Sequence, residues 1–286
     1  MAEPGHELEG KTFLVTGANT GIGKETVRGL AAAGARVFMA GRSEEKTRPV
    51  IAEIANQTGN DQLQFLPLDL GDLASVRACA EAFLARDQPL HGLINNAGLA
   101  GQQGLTQSGF ELAFGTNYVG PFLLTNLLLD CLRQSAPARI VNVASEGHYR
   151  VKGIDFDAVR KPTQTRTAFP EYCVSKLANV LHAQELARRL NGAGVTTYSL
   201  HPGAVASDIW RRVPWPIRPV LKLTMKSTEE GAKTSLHCAT SPDVAGESGQ
   251  YYDNCKRKDP SEIATPELGH QLWERSEAWV SGDGAG

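Results

Sequence analysis

Tyr172 and Lys176, in Tyr172-Cys173-Val174-Ser175-Lys176, stand four residues apart in a stretch of helical character that continues to position 190. Residues at that separation share one helix face, so a phenol and an ammonium group look the same way. A phenol with a reference pKa of about 10 is a poor acid–base catalyst at neutral pH, and a neighbouring ammonium draws that value down by favouring phenolate. The pair is common in ordinary helices, so its surroundings decide its meaning. Ser145 ends the run Arg139-Ile-Val-Asn-Val-Ala-Ser145, where its hydroxyl could bond a substrate oxygen and hold a carbonyl near Tyr172. Asn117, in Phe114-Gly-Thr-Asn117-Tyr-Val-Gly-Pro121, is a poor residue for a helix interior, which fits a functional demand. His201, in His201-Pro202-Gly203, reads equally well as a packed turn histidine and receives no catalytic role.

A second constellation is rich in glycine. Thr16-Gly17-Ala18-Asn19-Thr20-Gly21-Ile22-Gly23 follows a strand-like run directly and opens a helical pattern. Glycines permit a tight turn and let a pyrophosphate approach bare backbone N–H groups, while the helix dipole favours its negative charge. Gly23 allows helix and strand to pack closely.

Elements of a definite kind must position these groups. Short runs apolar on both faces, at 12–16, 36–40, 63–68, 92–95, 140–143 and 195–200, alternate with helix-period segments at 22–33, 44–57, 76–84, 122–131 and 172–190. This is the rhythm of a parallel sheet covered by helices on both sides, a doubly wound α/β Rossmann fold. No linker or repeat divides residues 1–286, so one dinucleotide-binding and catalytic domain is expected. Two irregular stretches, 146–170 and 204–226, follow strands where such sheets place ligand loops, and both are expected to touch substrate. The second holds Trp210, Trp215 and three prolines within 210–222. It reads as a substrate lid over an elongated apolar ligand, as a segment resting on a membrane surface, or as a stiffened cover packed on the domain.

Composition excludes several classes. Apolar residues at 41% and charged ones at 21% are ordinary for a folded chain, and a net charge of −2 supplies no field to hold nucleic acid. Cys79, Cys131, Cys173, Cys238 and Cys255 are scattered and odd in number, signalling neither a metal site nor a disulfide framework. The acidic opening MAEPGHELEG lacks signal-peptide character, and the most apolar run, 121–129, is shorter than a membrane span. Cytoplasmic residence without a transmembrane anchor is the resulting expectation.

The spacing G-x-x-x-G-x-G, together with Tyr172, Lys176 and Ser145, resembles the short-chain dehydrogenases/reductases. The resemblance spans nearly the whole chain. Segments 177–181, 194–198, 230–238 and 248–255 look like the retinol dehydrogenase branch, which implies reduction of retinal-like or lipid aldehydes and the reverse alcohol oxidation. It implies a tetrad of Asn117, Ser145, Tyr172 and Lys176, with Asn117 holding a water beside the lysine. Nucleotide contacts are implied at Gly17, Asn19, Thr20, Gly21, Ile22, Gly23, Arg42, Asp69, Leu70, Asn96, Ala97 and Gly98. Further ones are implied at Tyr172, Lys176, Pro202, Gly203, Val205 and Ser207. Asp69 would fix the adenine ring, and Asn95-Asn96-Ala97-Gly98 would line the pocket and tie strands together.

An NAD site usually carries a carboxylate about 20 residues after the glycine turn, whereas this chain has Gly41-Arg42. The guanidinium suits a 2′-phosphate, so NADP(H) is favoured. A homodimer through the apolar faces of 122–132 and 172–190 is expected from the resemblance. Two other readings stay open: a catalytically silent NADP(H)-sensing or interaction module, and an epimerase or dehydratase.

Overall fold

The computed structural model describes residues 7–203 and 226–281. The strands are β1 (Thr12–Thr16), β2 (Arg36–Gly41), β3 (Leu63–Pro67), β4 (Gly92–Asn95), β5 (Ala138–Val143), β6 (Val195–His201), β7 (Gln250–Asp253) and β8 (Lys256–Lys258). The helices are α1 (Gly21–Ala32), α2 (Glu44–Thr58), α3 (Leu73–Leu84), α4 (Leu112–Gln134), α5 (Phe169–Arg189), α6 (Thr228–Thr240) and α7 (Pro266–Val280). All eight strands form one sheet in the order β3-β2-β1-β4-β5-β6-β7-β8. Strands β1 to β7 run parallel, and β8 departs from the expected pattern by pairing antiparallel to β7. The order reverses between β1 and β4, which opens a crevice beyond their C-terminal ends.

Strand residues alternate between two cores, as a period of two requires. Leu14, Phe38, Ala40 and Ile140 face the layer of α3, α4, α5 and α7. Phe13, Val15, Val37, Met39, Val141 and Tyr198 face the layer of α1, α2 and α6. Both faces are therefore dry, and the strands read as continuous apolar runs for that reason.

Helices α4, α6 and α7 differ from the sequence reading, in which no helix was expected at 228–240. Helix α4 begins ten residues before the expected start and contains a π-turn over Gly115–Val119. It is long and apolar enough to cross a membrane, but 72% of its most apolar window is buried inside the fold, as a core helix must be. Helix α7 buries Gly269, Leu272, Trp273 and Ser276 along one helical face, and the sequence reading omitted it. It packs along α5 and reaches α4, where Trp273 meets Phe122 edge-on at 5.0 Å and Ser276 bonds the Tyr118 hydroxyl at 2.7 Å. Arg189 lies over the Trp273 ring at 4.3 Å. Phe122 and part of the 172–190 face, which were expected to pair with a second copy, are thus packed against α7 within the chain.

His182 of α5 is buried among the rings of Tyr118, Phe122 and Trp273, at 5.9, 5.4 and 6.0 Å. Asn142 Nδ2 lies 3.3 Å from its Nδ1. Burial pushes its pKa down to about 3, so the folded state holds it neutral while the unfolded chain takes up a proton below about 6.5. Stability linked to this residue is lost as pH falls from that unfolded value toward the folded one. Between pH 7 and pH 4.5 the protein should lose about 2 kcal/mol more than a His182→Leu variant. Urea unfolding at the two pH values checks this, and equal losses in both proteins would refute it.

Candidate active site

The glycine turn after β1 is built for close backbone approach. Gly17 and Gly21 have φ of +64° and +57°, a region glycine enters without steric penalty. A Cβ on Gly17 would lie 2.8 Å from the Ala97 Cα, and one on Gly23 would lie 2.4 Å from the Gly17 carbonyl oxygen. The turn is stitched to the loop after β4. Thr16 Oγ1 accepts the Asn96 and Ala97 N–H groups at 3.0 Å each, and Asn96 Nδ2 donates to the carbonyls of Thr16 and Gly17 at 2.9 and 3.2 Å. Thr20 heads α1 without a side-chain cap, so the first amides of the helix stay available to an anion. Bare amides, glycines that no Cβ could replace and a helix dipole fit the pyrophosphate of a nicotinamide dinucleotide.

One cleft of about 960 Å³ lies over the C-terminal edge of the sheet. It is lined by Gly17, Asn19, Thr20, Gly21, Ile22, Gly23, Arg42, Asp69, Leu70, Asn96, Ala97, Gly98, Pro202 and Gly203, together with Ser145, Tyr172 and Lys176. The structure therefore brings nearly all the sequence-predicted positions to one place. Val205, Ser207 and all of the expected lid at 204–226 except Lys226 lie outside the described residues. Asp69 Oδ1 accepts the Gly71 N–H at 2.9 Å, which shapes the loop after β3. Arg42 is exposed at the rim and makes no ion pair among the described residues.

Tyr172 and Lys176 face the cleft from the first turns of α5, next to Ser145 at the end of β5. Ser145 Oγ accepts the Gly147 N–H at 3.1 Å, leaving its own proton for a ligand. Lys176 is buried and donates through Nζ to the Val143 carbonyl at 2.7 Å, and burial lowers its pKa to about 8. Its Nζ lies 5.6 Å from the centre of the Tyr172 ring. The expected lowering of the phenol is not found. Desolvation pushes Tyr172 up to about 12, and the Ser145 hydroxyl opposes this only in part. A lysine committed to a carbonyl, and itself discouraged from carrying charge, leaves the phenol protonated.

Asn117 stands in the π-turn of α4, a common device for placing a functional side chain inside a helix. Its Oδ1 accepts the Leu99 N–H at 2.8 Å, and its Nδ2 reaches the Leu99 carbonyl at 3.0 Å and Ser175 Oγ at 2.9 Å. The side chain is a clasp on the loop after Gly98, with both amide hydrogens engaged and Oδ1 accepting one bond. Asn95 likewise spans strands, donating to Thr125 Oγ1 and Asn142 Oδ1 at 3.1 and 2.9 Å. His201 lines the cleft, and burial holds its pKa below the ordinary histidine value.

The sequence reading missed Thr16 and Phe169. Thr16 directly precedes the glycines, where a hydroxyl is the natural partner for orphan amides. Phe169 lies in the irregular stretch 146–170, stacked on Tyr172 with centroids 6.0 Å apart, and Arg150 lies over its outer face at 5.9 Å. Both residues line the cleft, as expected for that stretch.

The cradle yields a direct expectation. Gly23→Ala should reduce affinity for a nicotinamide dinucleotide at least tenfold, about 1.4 kcal/mol, because Cβ and the Gly17 carbonyl cannot both keep their places. Titration followed by nucleotide fluorescence reads this, and an unchanged Kd would show that the turn is not the binding site.

The family model for short chain dehydrogenases matches residues 11–156. Retinol dehydrogenase 11 of Homo sapiens is 46% identical over 277 residues, covering 94% of this chain and 86% of that protein. A crystal structure of an uncharacterised protein from Mycobacterium paratuberculosis superposes with a TM-score of 0.76 at 29% identity, over 96% of this chain and 94% of the other. A short chain dehydrogenase from Escherichia coli CFT073, solved with NADPH, gives 0.68 at 26% identity, over 87% and 98%. A strand–turn–helix cradle joined to Ser145, Tyr172 and Lys176 in one cleft agrees with these matches, and the chain belongs to the short chain dehydrogenase family, in its retinol dehydrogenase-like branch of oxidoreductases acting on alcohols.

Proposed function

We propose that the protein is an NADP(H)-dependent reductase that converts an apolar aldehyde or ketone, retinal-like or a lipid aldehyde, to its alcohol and runs the reverse oxidation. The observation that carries this reading is the meeting of the Tyr172 phenol and the Ser145 hydroxyl in one cleft with the glycine cradle, where burial favours the protonated phenol. A carbonyl reduction needs a proton donor, and a phenol pushed up to about 12 keeps its proton throughout the neutral range.

A nicotinamide dinucleotide held by the glycine turn would supply a hydride to the carbonyl carbon. Ser145 donates its hydroxyl proton in a hydrogen bond to the carbonyl oxygen, fixing it near Tyr172. Tyr172 passes its proton to that oxygen as negative charge grows there. Lys176 stabilises the phenolate left behind, from the same helix face. Arg42, with no ion-pair partner among the described residues, supports binding of a 2′-phosphate, because no carboxylate stands where one would select a bare ribose hydroxyl. Leu99, Leu105, Leu112 and Phe169 give the outer cleft an apolar lining suited to an apolar substrate. The unbroken eight-stranded sheet supports a single dinucleotide-binding and catalytic domain.

Tyr172→Phe should lower kcat by about 10³-fold with NADPH affinity unchanged, measured by loss of reduced-nicotinamide absorbance on long apolar aldehydes and by fluorescence titration. Tight NADPH binding by the unmodified protein, without turnover of any aldehyde or ketone in a broad panel, would favour the sensing module instead. Arg42→Asp should weaken NADPH binding by about 10- to 100-fold and improve NADH binding. A preference for NADH in the unmodified protein would overturn the assignment to Arg42.

A further inference from the structure

His148 stands three residues after Ser145 in the 3₁₀ turn Glu146–Arg150 and is completely buried. Its two ring nitrogens hold two different parts of the chain. Nδ1 lies 2.6 Å from the Ser145 carbonyl oxygen, and the Ser261 backbone N–H donates to Nε2 over 3.1 Å. A carbonyl can only accept and an amide N–H can only donate, so the proton sits on Nδ1 and Nε2 is bare. The ring is held between Tyr149 and Tyr251, with centroids at 3.9 and 4.7 Å. Tyr149 in turn donates its hydroxyl to the Asp259 carbonyl. Segment 259–261, beyond β8, is therefore fastened to the turn at two adjacent residues.

Ser145 depends on this arrangement. It has left β5, and its backbone is extended at φ −168° and ψ 156° as it heads the 3₁₀ turn. On the carbonyl side, the 2.6 Å contact with the imidazole is the shortest of three that fix the plane of this peptide group, beside the His148 N–H on the same oxygen at 3.2 Å and the Glu146 N–H on His201 Nδ1 at 3.4 Å. That plane and the Gly147 N–H on Oγ together set where the hydroxyl points.

We propose that His148 is a positioning residue for the reaction: by holding the Ser145 carbonyl from behind, it aims the Ser145 hydroxyl at the substrate oxygen, and through Ser261 it makes that aim depend on the segment after β8. This rests on the role given above to Ser145. His148 touches neither substrate nor cofactor in this arrangement, and it does not line the cleft. An aim that loosens by an ångström is enough to slow a reaction about 10²-fold without altering nucleotide binding.

Two amide variants separate the two nitrogens. The side-chain amide of asparagine reaches roughly the position of Nδ1, and that of glutamine roughly the position of Nε2. His148→Asn, which keeps the bond to the Ser145 carbonyl and loses the one to Ser261, should lower kcat about three- to fivefold, whereas His148→Gln should lower it by about 10- to 100-fold, with NADPH affinity unchanged in both. In a Ser145→Ala background the effect of His148→Gln should vanish, since the group being aimed is gone.

Equal losses in the two amide variants, or a His148→Gln effect that persists in full beside Ser145→Ala, would overturn the inference and leave His148 a structural residue. If Ser145→Ala alone keeps full kcat, the role of Ser145 itself has failed and the inference falls with it. A damaging Ser145→Ala beside a silent His148→Gln refutes this inference only. Should His148→Gln fail to bind NADPH, Tyr149→Phe, which releases the same segment from the turn, carries the test. A kcat reduced about threefold or more supports the proposal, and an unchanged one overturns it.

Discussion

The structure depends on one constraint: the backbone after β1 must come close enough to the loop after β4 to leave a bare, rigid cradle at the point where the strand order reverses. Parallel strands end in unpaired polar groups, and a crevice lined by them would collapse or hydrate without internal partners. Thr16 and Asn96 supply those partners in a reciprocal set of four hydrogen bonds. Gly17 and Gly23 remove the side chains that would hold the two loops apart. Only then can the amides at the head of α1 face a ligand instead of neighbouring backbone.

A second polar network stabilises the site from below. Asn95, Asn142 and Asn179 are buried on β4, β5 and α5, and they connect through Thr125 and the Val143 carbonyl to Lys176. Buried amides are costly unless they are hydrogen-bonded, and a core of leucines would have been simpler to pack. What such a network adds is direction. The Val143 carbonyl receives both Lys176 and Asn179, so the ammonium group has a defined resting place at the floor of the cleft. Asn117 clasps the Leu99 backbone beside it and fixes the opposite wall.

Much of this was legible in the sequence, because the site lies where local patterns change from strand to turn to helix. The runs at 12–16 and 92–95 coincide with β1 and β4, and the glycines, Arg42 and the Tyr172–Lys176 pair all arrive at one cleft. What stayed hidden depends on partners distant in the chain. Helix α7 went unread because only Leu272 and Trp273 of its buried face are large and apolar, and its partners Phe122 and Tyr118 lie roughly 150 residues away in sequence. The π-turn around Asn117 exists because the side chain must reach Leu99 in another loop. His148 gives no local signal, since its meaning comes from Ser261. The direction of the Tyr172 shift was misjudged for a related reason: spacing along a helix shows that an ammonium is near, but not that it is bonded elsewhere while burial of the phenol outweighs its pull.

That last point bears on how the site works. In water the phenol and the ammonium would titrate close together, whereas here burial raises one to about 12 and lowers the other to about 8. Both displacements favour the uncharged forms, so the resting pair has little tendency to exchange a proton. The same dry surroundings strengthen any attraction once charge develops, because a phenolate and an ammonium interact far more strongly there than in solvent. Lys176 therefore contributes least while Tyr172 is a phenol and most as its proton departs, and an interaction that grows only along the reaction lowers the barrier without first tightening the ground state.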